Sequence, residues 1–408
     1  MKNLFTFQKI YKAYLDCRKN KRNTKNAIKF EINLESEILK LKNELNDQIY
    51  TPSRFICFVI KEPMLREIFA SDFRDRVIHH LLYIFLEPIF EKKFIFHSYS
   101  NRKEKGAHKS IKYLNKFIRQ ITKKYNNEAF FIHLDIKGFF MNINKKILFE
   151  IISKNLKNEK ILCLTKQIIF CDPLQNFHKK GDKGLFQLIP KHKSLFYLPN
   201  TQGLPIGNLT SQFFANVYLN ELDQFVKHKL KAKYYMRYVD DFVILSKDKN
   251  ELIYYRNEIS QFLKYKLALE LNPKKQVLQN INNGISWLGY IIKKDYILSR
   301  RRVVNNLKRK LNNFNKILEE FEYKQNYQME LYNFKKYPDI KIINKILATI
   351  NSYYGHFRHA NTYNLRKNLY ENRFLYIKNY IENKDTNFYS FKIKKDFLKN
   401  IKRAKEKI

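Results

Sequence analysis

The stretch KYYMRYVDDFVILS, residues 233–246, sets two adjacent aspartates, Asp240 and Asp241, between segments apolar enough to be buried strands. Adjacent acids at a turn are ordinarily solvated. Here the pattern reads strand, turn, strand, so both carboxylates stand at the tip of a buried hairpin, where they repel one another unless cations neutralise them. A second short apolar run, AFFIHL at 129–134, delivers Asp135 at its end. If the two strands are neighbours in one sheet, three carboxylates form a hard oxygen cluster suited to Mg²⁺. Two such ions can activate an attacking hydroxyl and stabilise the leaving oxygen of a phosphoryl transfer.

The rest of the chain fits an enzyme with a polyanionic partner. With 408 residues, 44% of them hydrophobic, the sequence is too long for one compact core and fits two or three subdomains. Lysine and arginine number 79 against 38 acids, a net charge of +41 spread along nearly the whole sequence. Such a field calls for nucleic acid, with a basic membrane-surface protein as the competitor. An A/T-rich genome inflates Lys, Asn, Ile and Tyr but does not deplete acids relative to bases this far. Cys17, Cys57, Cys163 and Cys171 lack C-x-x-C spacing, which argues against zinc and disulfides. The N-terminus carries no long apolar core with a cleavage site, and no uncharged run is long enough to cross a bilayer, so a cytoplasmic protein with no membrane partner is expected.

Coarse periodicity gives an α+β chain. Residues 1–48 read as two amphipathic helices, 54–60 as a strand, and Val77, Leu81, Leu82 and Phe85 as the inner face of another helix. Asn144 is a plausible N-cap for the helix KKILFEIISKNL. Residues 172–205 read as a long ordered connection, SQFFANVYLNELDQFVKHKL as a strong helix, and the basic remainder after residue 300 as mostly helical. The region before Asp135 holds Arg66, Arg74, Arg102 and Lys105 as candidate phosphate-binding cations, Arg102 first among them because Gly106 permits close backbone approach. A merely solvated basic loop is the bland alternative.

Asp135 after an apolar strand, the later YVDD, and LNPKK followed by WLGY resemble the ordered palm motifs of a reverse transcriptase related to those of group II introns. More narrowly, GLPIGNLTSQFFANVYLNELDQF resembles the reverse transcriptases of diversity-generating retroelements. The fourth block of that family reads aliphatic residue, Gly, three variable residues, Ser-Gln; here it is Ile206, Gly207, Asn208 to Thr210, Ser211 and Gln212. RDRVIHHLLYIFLEPIFE and SYYGHFRHANTYNL also look like that family, so the resemblance covers most of residues 60–365.

The resemblance implies a right-hand polymerase: N-terminal helices and fingers over 1–130, a palm over 131–298 with a fingers-type insertion near 146–200, and a basic helical thumb over 299–408. It implies that Asp135, Asp240, Asp241 and the carbonyl of Ile136 hold two Mg²⁺ ions, and that Phe140 is the steric gate that selects deoxynucleotides. Lys275, with Lys274 beside it, matches the lysine that meets the departing pyrophosphate. Arg102, Lys105, Ile206, Gly207 and Gln212 would contact the substrate. WLGY matches the primer grip, with packing as an equal alternative, and His356, Arg358 and His359 are candidates for duplex contacts. Most relatives carry Gln-Gly where this chain has Ile206-Gly207. An aliphatic residue cannot make the hydrogen bonds of that Gln, and discrimination by apolar shape alone is weak, so lower fidelity is expected. The family's behaviour is misincorporation opposite adenines while a template-repeat RNA is copied into cDNA. Its partners are template RNA, RNA/cDNA duplex, dNTPs and a pentameric accessory variability protein. The rivals are a group II intron-like or antiviral-defence reverse transcriptase and, from another class, a catalytically idle RNA-binding scaffold.

Overall fold

The computed structural model describes residues 4–19, 24–62, 64–124, 126–332 and 338–406, with the side chains of 324–332 and 402–406 excepted. The chain divides into two compact units, Met1–Ser110 with Ala129–Gln279 and Ile111–Glu128 with Asn280–Ile408.

The first unit is built on two sheets. In chain order its strands are β1 (Phe55–Ile60), β2 (Arg66–Ala70), β3 (Phe130–Asp135), β4 (Phe177–Lys179), β5 (Tyr234–Tyr238), β6 (Asp241–Ser246) and β7 (Val277–Asn280). The larger sheet runs β5-β6-β3-β7, with β6 antiparallel to both neighbours. Its two central strands are nearly continuous apolar runs, as expected of strands covered on both faces. Phe131, Leu134, Phe242 and Ile244 are buried there. The helices Leu209–Gln224 and Lys249–Leu267 pack with this sheet's core, and Phe213, Val217, Leu222, Ile259 and Leu263 join it. Each such side chain taken from water stabilises the fold by roughly 1.5–3 kcal/mol.

The smaller sheet runs β2-β1-β4, with β2 antiparallel and β4 parallel to β1. The 172–205 segment is thus a sheet partner with short helical turns at Gly184–Gln187, Lys191–Lys193 and Leu195–Tyr197 rather than only a connection. Alternation in FHK is too brief to register as a strand by itself. The N-terminal region folds as three helices, Phe7–Arg18, Lys25–Ile32 and Leu34–Asn46, where periodicity suggested two. The break falls at Asn33, which lies between the second and third helices. Asn144 caps its helix as read from the sequence: Oδ1 accepts from Lys146 N at 2.9 Å and Ile147 N at 3.2 Å.

The second unit holds β8 (Ile285–Trp287), β9 (Tyr290–Ile292) and β10 (Ile297–Ser299) in one antiparallel sheet. Its long helices are Arg301–Tyr332, Ile340–Phe357 and Tyr363–Arg373, and its core gathers Leu307, Leu311, Ile346, Ile350 and Tyr354. The C-terminal part is less purely helical than its composition suggests, since β11 (Ile381–Asn383) and β12 (Phe391–Ile393) pair antiparallel before the helix Lys395–Glu406. In WLGY, Trp287 and Tyr290 are each 1% exposed. The Tyr290 ring stacks on His356 at 4.0 Å and its hydroxyl donates to the His356 carbonyl at 2.9 Å. These two aromatics are packing residues at the level of the side chain.

Candidate active site

The register of β3 and β6 decides the site. Phe130 pairs with Ser246 and the ladder runs without a bulge to Asp135 opposite Asp241, while Tyr238 of β5 lies opposite Asp241 on the other side. Only Val239 and Asp240 remain for the hairpin turn. Val239 adopts φ 57°, a left-handed conformation that is unfavourable for a β-branched residue. Asp135, Asp240 and Asp241 therefore meet at one end of the sheet because both strands end there.

Each carboxylate has a different environment. Asp135 is 4% exposed; Oδ2 accepts from Lys275 Nζ at 2.6 Å and Oδ1 from Asn272 Nδ2 at 2.8 Å. Burial pushes its pKa up, against the pull of those two donors. Asp240 is raised to about 7, by burial first and then by Asp241 and Asp135. Burial would also raise Asp241, but His133 and Lys275 outweigh it and hold that carboxyl below its usual range. His133 Nε2 lies 3.6 Å from Asp241 Oδ1, an electrostatic contact too long for a hydrogen bond. Lys275 loses hydration, yet its bond to Asp135 and the fields of Asp241 and Asp240 raise its pKa.

The donors suit a hard divalent cation in kind and in charge. Asp240 is raised by burial first and by its two acidic neighbours second, and a cation would compensate the buried carboxylate and its neighbours together. The arrangement is nonetheless closed: Lys275 and Asn272 occupy both oxygens of Asp135, and among the described residues no group of three or more His, Cys, Asp or Glu is disposed to hold a metal ion. The Lys275 ammonium occupies one oxygen that a metal would use. Lys274 instead donates its backbone N–H to Asn272 Oδ1, so Lys275 is the lysine of the pair that reaches the carboxylates.

Ile136 is buried and bridges to Leu271, which brings the LNPKK segment alongside Asp135; Asn272 N donates to the Asp135 carbonyl at 2.8 Å. Gly138 turns the chain at φ 54° into the short helix Phe139–Asn142. Phe140 on it is half-buried, its ring 5.5 Å from Phe139 edge to face, and its carbonyl accepts from Leu204 N at 2.9 Å.

The IGNLTSQ segment is tied to β2. The Ile206 carbonyl accepts from Phe69 N at 2.9 Å, and its half-buried side chain packs with the cluster of Phe55, Phe69 and Leu195. Gly207 has φ +129°, and a Cβ there would lie 2.8 Å from Ile68 Cγ2 and 3.2 Å from the Phe69 carbonyl. Asn208 Oδ1 accepts from Ser71 N and Ser71 Oγ at 3.1 and 2.9 Å, and Thr210 Oγ1 pairs with His79 Nδ1 at 2.7 Å. Gln212 faces solvent one helical turn on.

Arg102 differs from its expected role. Its guanidinium is turned inward onto Glu91, with Nη2 2.6 Å from Oε1, and Nη1 donates to the carbonyls of Ile95 and Ser98 at 2.7 and 2.9 Å. A side chain so committed staples its own loop and has little left for a phosphate. Lys105 sits 3.4 Å over the Phe96 ring and donates to the Phe96 carbonyl; burial, with Arg102 and Lys109 adding to it, lowers its pKa to about 8. The structure brings neither cation into contact with the three aspartates.

Sequence reasoning missed the buried strut behind the turn. Arg237 and Asp223 are both fully buried; Arg237 Nη2 meets Asp223 Oδ2 at 2.5 Å and Nε meets Oδ1 at 2.8 Å. Arg237 Nη1 donates to the Val239 carbonyl at 2.9 Å, and Nη2 to Ser98 Oγ at 3.2 Å. One charged residue inside the otherwise apolar YYMRY was the available signal, since a buried arginine requires an anion. Asn272 and His133 were missed as well, being ordinary polar residues whose partners lie far away in sequence.

The family profile described as reverse transcriptase (RNA-dependent DNA polymerase) matches residues 62–292, more than half of the chain. Protein YkfC of Escherichia coli is 23% identical over 318 residues, covering 69% of this chain and 78% of that protein. The group II intron-encoded protein LtrA of Lactococcus lactis is 23% identical over 324 residues, covering 64% of this chain and 50% of LtrA, so the chain spans about half of that relative. Among solved structures, an apo telomerase of Candida tropicalis truncated from its C-terminal domain aligns with TM-score 0.44 at 15% identity, covering 61% of this chain and 55% of that one. Among the described residues no helix is long and apolar enough to cross a membrane. The matched profile takes in the whole β5-β6-β3-β7 sheet and every carboxylate of the site, and the chain belongs to the reverse transcriptase (RNA-dependent DNA polymerase) family, with its α+β right-hand polymerase fold.

Proposed function

We propose that this chain copies a template-repeat RNA into error-prone, adenine-mutagenised cDNA as the reverse transcriptase of a diversity-generating retroelement. The pairing of Asp135 with Asp241, with Asp240 in the adjoining turn, supports the polymerase reading. IGNLTSQ supports the narrower one. Asp135, Asp240, Asp241 and the Ile136 carbonyl would hold two Mg²⁺ ions. When bound, these ions would activate the primer hydroxyl and stabilise the departing pyrophosphate. The protein's own contributions are the strut that fixes the turn, the Lys275 ammonium at the carboxylates, and the Phe140 ring as a gate against a ribose 2′-hydroxyl. Release of Lys275 from Asp135 would place a proton donor beside the departing pyrophosphate. Ile206, Gly207 and Gln212 would line the base-pair pocket, template RNA, RNA/cDNA duplex and dNTPs would be its ligands, and a pentameric variability protein its partner. The division into fingers (1–130), palm (131–298) and thumb (299–408) belongs to the same reading.

The test is extension of a primed RNA template with Mg²⁺, template RNA and accessory protein supplied. Wild type should extend and Asp240→Ala should fall by about 10²–10³-fold or more, the scale of losing one group that stabilises charge developing in the transition state. Equal inactivity of both would favour an idle RNA-binding scaffold. Sequencing the cDNA of Ile206→Gln tests the narrower reading, with fewer errors opposite adenine expected. The similarity to LtrA favours a second reading, a group II intron-like enzyme; an error spectrum that shows no bias at adenine in either protein would select it.

A further inference from the structure

The helix Ala107–Ile121 carries a cationic row that the site does not use. Its Ile111, Leu114, Phe117, Ile118 and Ile121 are buried, which fixes the rotation of the helix. Lys112, Lys116 and Arg119 then share its outer face at spacings of four and three, and Lys123 stands exposed in the turn that follows the helix. All four are exposed, and among the described residues no carboxylate pairs with any of them. No Asp or Glu occurs between Glu104 and Glu128. A solvated helix face ordinarily mixes both signs; this one has only one.

We infer that Lys112, Lys116, Arg119 and Lys123 form a binding ridge for the phosphate backbone of one RNA strand, independent of its sequence. From Lys112 to Arg119 the helix rises about 10 Å, so the row is long enough to follow the phosphates of a few consecutive nucleotides of one strand. A single row serves one strand, and the packed apolar face holds the row in place before RNA arrives. The inference rests on the polymerase reading only for the presence of RNA, because the ridge itself takes no part in nucleotide chemistry.

The experiment compares the full chain with two variants of equal charge change. One is Lys112→Gln/Lys116→Gln/Arg119→Gln/Lys123→Gln; the control is Lys247→Gln/Lys249→Gln/Lys264→Gln/Lys266→Gln, four exposed lysines on and beside the helix Lys249–Leu267. Binding to a single strand of RNA about 30 nucleotides long is measured between roughly 50 and 200 mM salt, without dNTPs or divalent metal. Loss of four phosphate contacts makes the log–log salt slope shallower by about 2.8. The deficit of the ridge variant should therefore shrink about 50-fold across that range, while the control keeps nearly the wild-type slope. Equal effects from both variants would overturn the ridge and leave only the general field of the protein. A ridge variant that loses binding to phosphatidylserine vesicles but not to RNA would overturn it in favour of a membrane. Because no step of synthesis is read, a failed ridge and a failed polymerase are distinguishable.

Discussion

Asp240 carries the conflict between stability and chemistry in a single side chain. Its folded pKa of about 7 lies above the usual aspartate value of 3.8, so the folded protein binds this proton more tightly than the unfolded chain does. The associated stability is fully present below pH 3.8 and is lost as pH rises through about 7. Metal-free protein should accordingly lose part of its Tm between about pH 4 and 7, and Asp240→Asn should flatten that portion of the profile. Above about pH 7 the variant should melt higher than wild type, and added Mg²⁺ should raise only the wild type. Calorimetry of both proteins across roughly pH 4–8 checks this, and parallel profiles would remove Asp240 from the charge conflict. Lys275 supplies a second prediction. Its Nζ holds Asp135 at 2.6 Å, so an entering cation competes with it. Lys275→Ala should bind Mn²⁺ several-fold more tightly by electron paramagnetic resonance while extending primers more slowly. The meeting of the three aspartates was legible in sequence because a carboxylate that closes a buried apolar run calls for a compensating charge, which two such runs in one sheet bring to a single point. Asn272 and His133 were not, since each acts only through a partner that the β3 register or the Ile136–Leu271 bridge brings near.

Secondary elements account for why that turn stays in place. The helix Leu209–Gln224 contributes Asp223, β5 contributes Arg237, and their fully buried pair reaches the carbonyl of left-handed Val239. Breaking a buried pair by neutralising one partner typically costs about 3–5 kcal/mol because the other charge is left without compensation. Asp223→Asn should lose stability of that order in urea unfolding, and a loss below about 1 kcal/mol would show that Ser98 Oγ and Asn216 Oδ1, which accept from Arg237 at 3.2 and 3.3 Å, hold it without the anion. Gly207 fixes the other approach. Gly207→Ala puts a Cβ 2.8 Å from Ile68 at a φ that alanine rarely adopts, so β2 must shift. Gly106→Ala meets nothing within 4 Å and carries only the conformational strain. The first should cost more stability than the second, by roughly 1–3 kcal/mol, in parallel denaturation curves. Long periodic elements such as the Leu209–Gln224 helix could be read directly from the sequence. β4 and the β11–β12 pair could not, because three-residue strands carry too few alternations and owe their existence to a neighbouring strand.

At the scale of the whole chain, a net charge of +41 acts on folding and on binding with opposite signs. Unbalanced lysines repel one another in the compact state, and salt screens that repulsion over a Debye length of about 10 Å at 0.1 M. The same salt weakens RNA binding, because each counterion released from a neutralised phosphate gains less entropy in a saltier solution. The Tm of the free protein should therefore rise by several degrees between about 50 and 500 mM NaCl, whereas affinity for RNA falls steeply over the same range. Short polyphosphate added at low salt should reproduce the rise in Tm, since it supplies the missing negative charge without screening everything else. A Tm that falls with salt would mean that the attractive contacts, such as Arg18 with Glu31 and Lys392 with Glu382, outweigh the repulsion. In that case the excess of basic residues would be spaced widely enough to cost the fold little, and RNA would be needed for function alone rather than for stability as well.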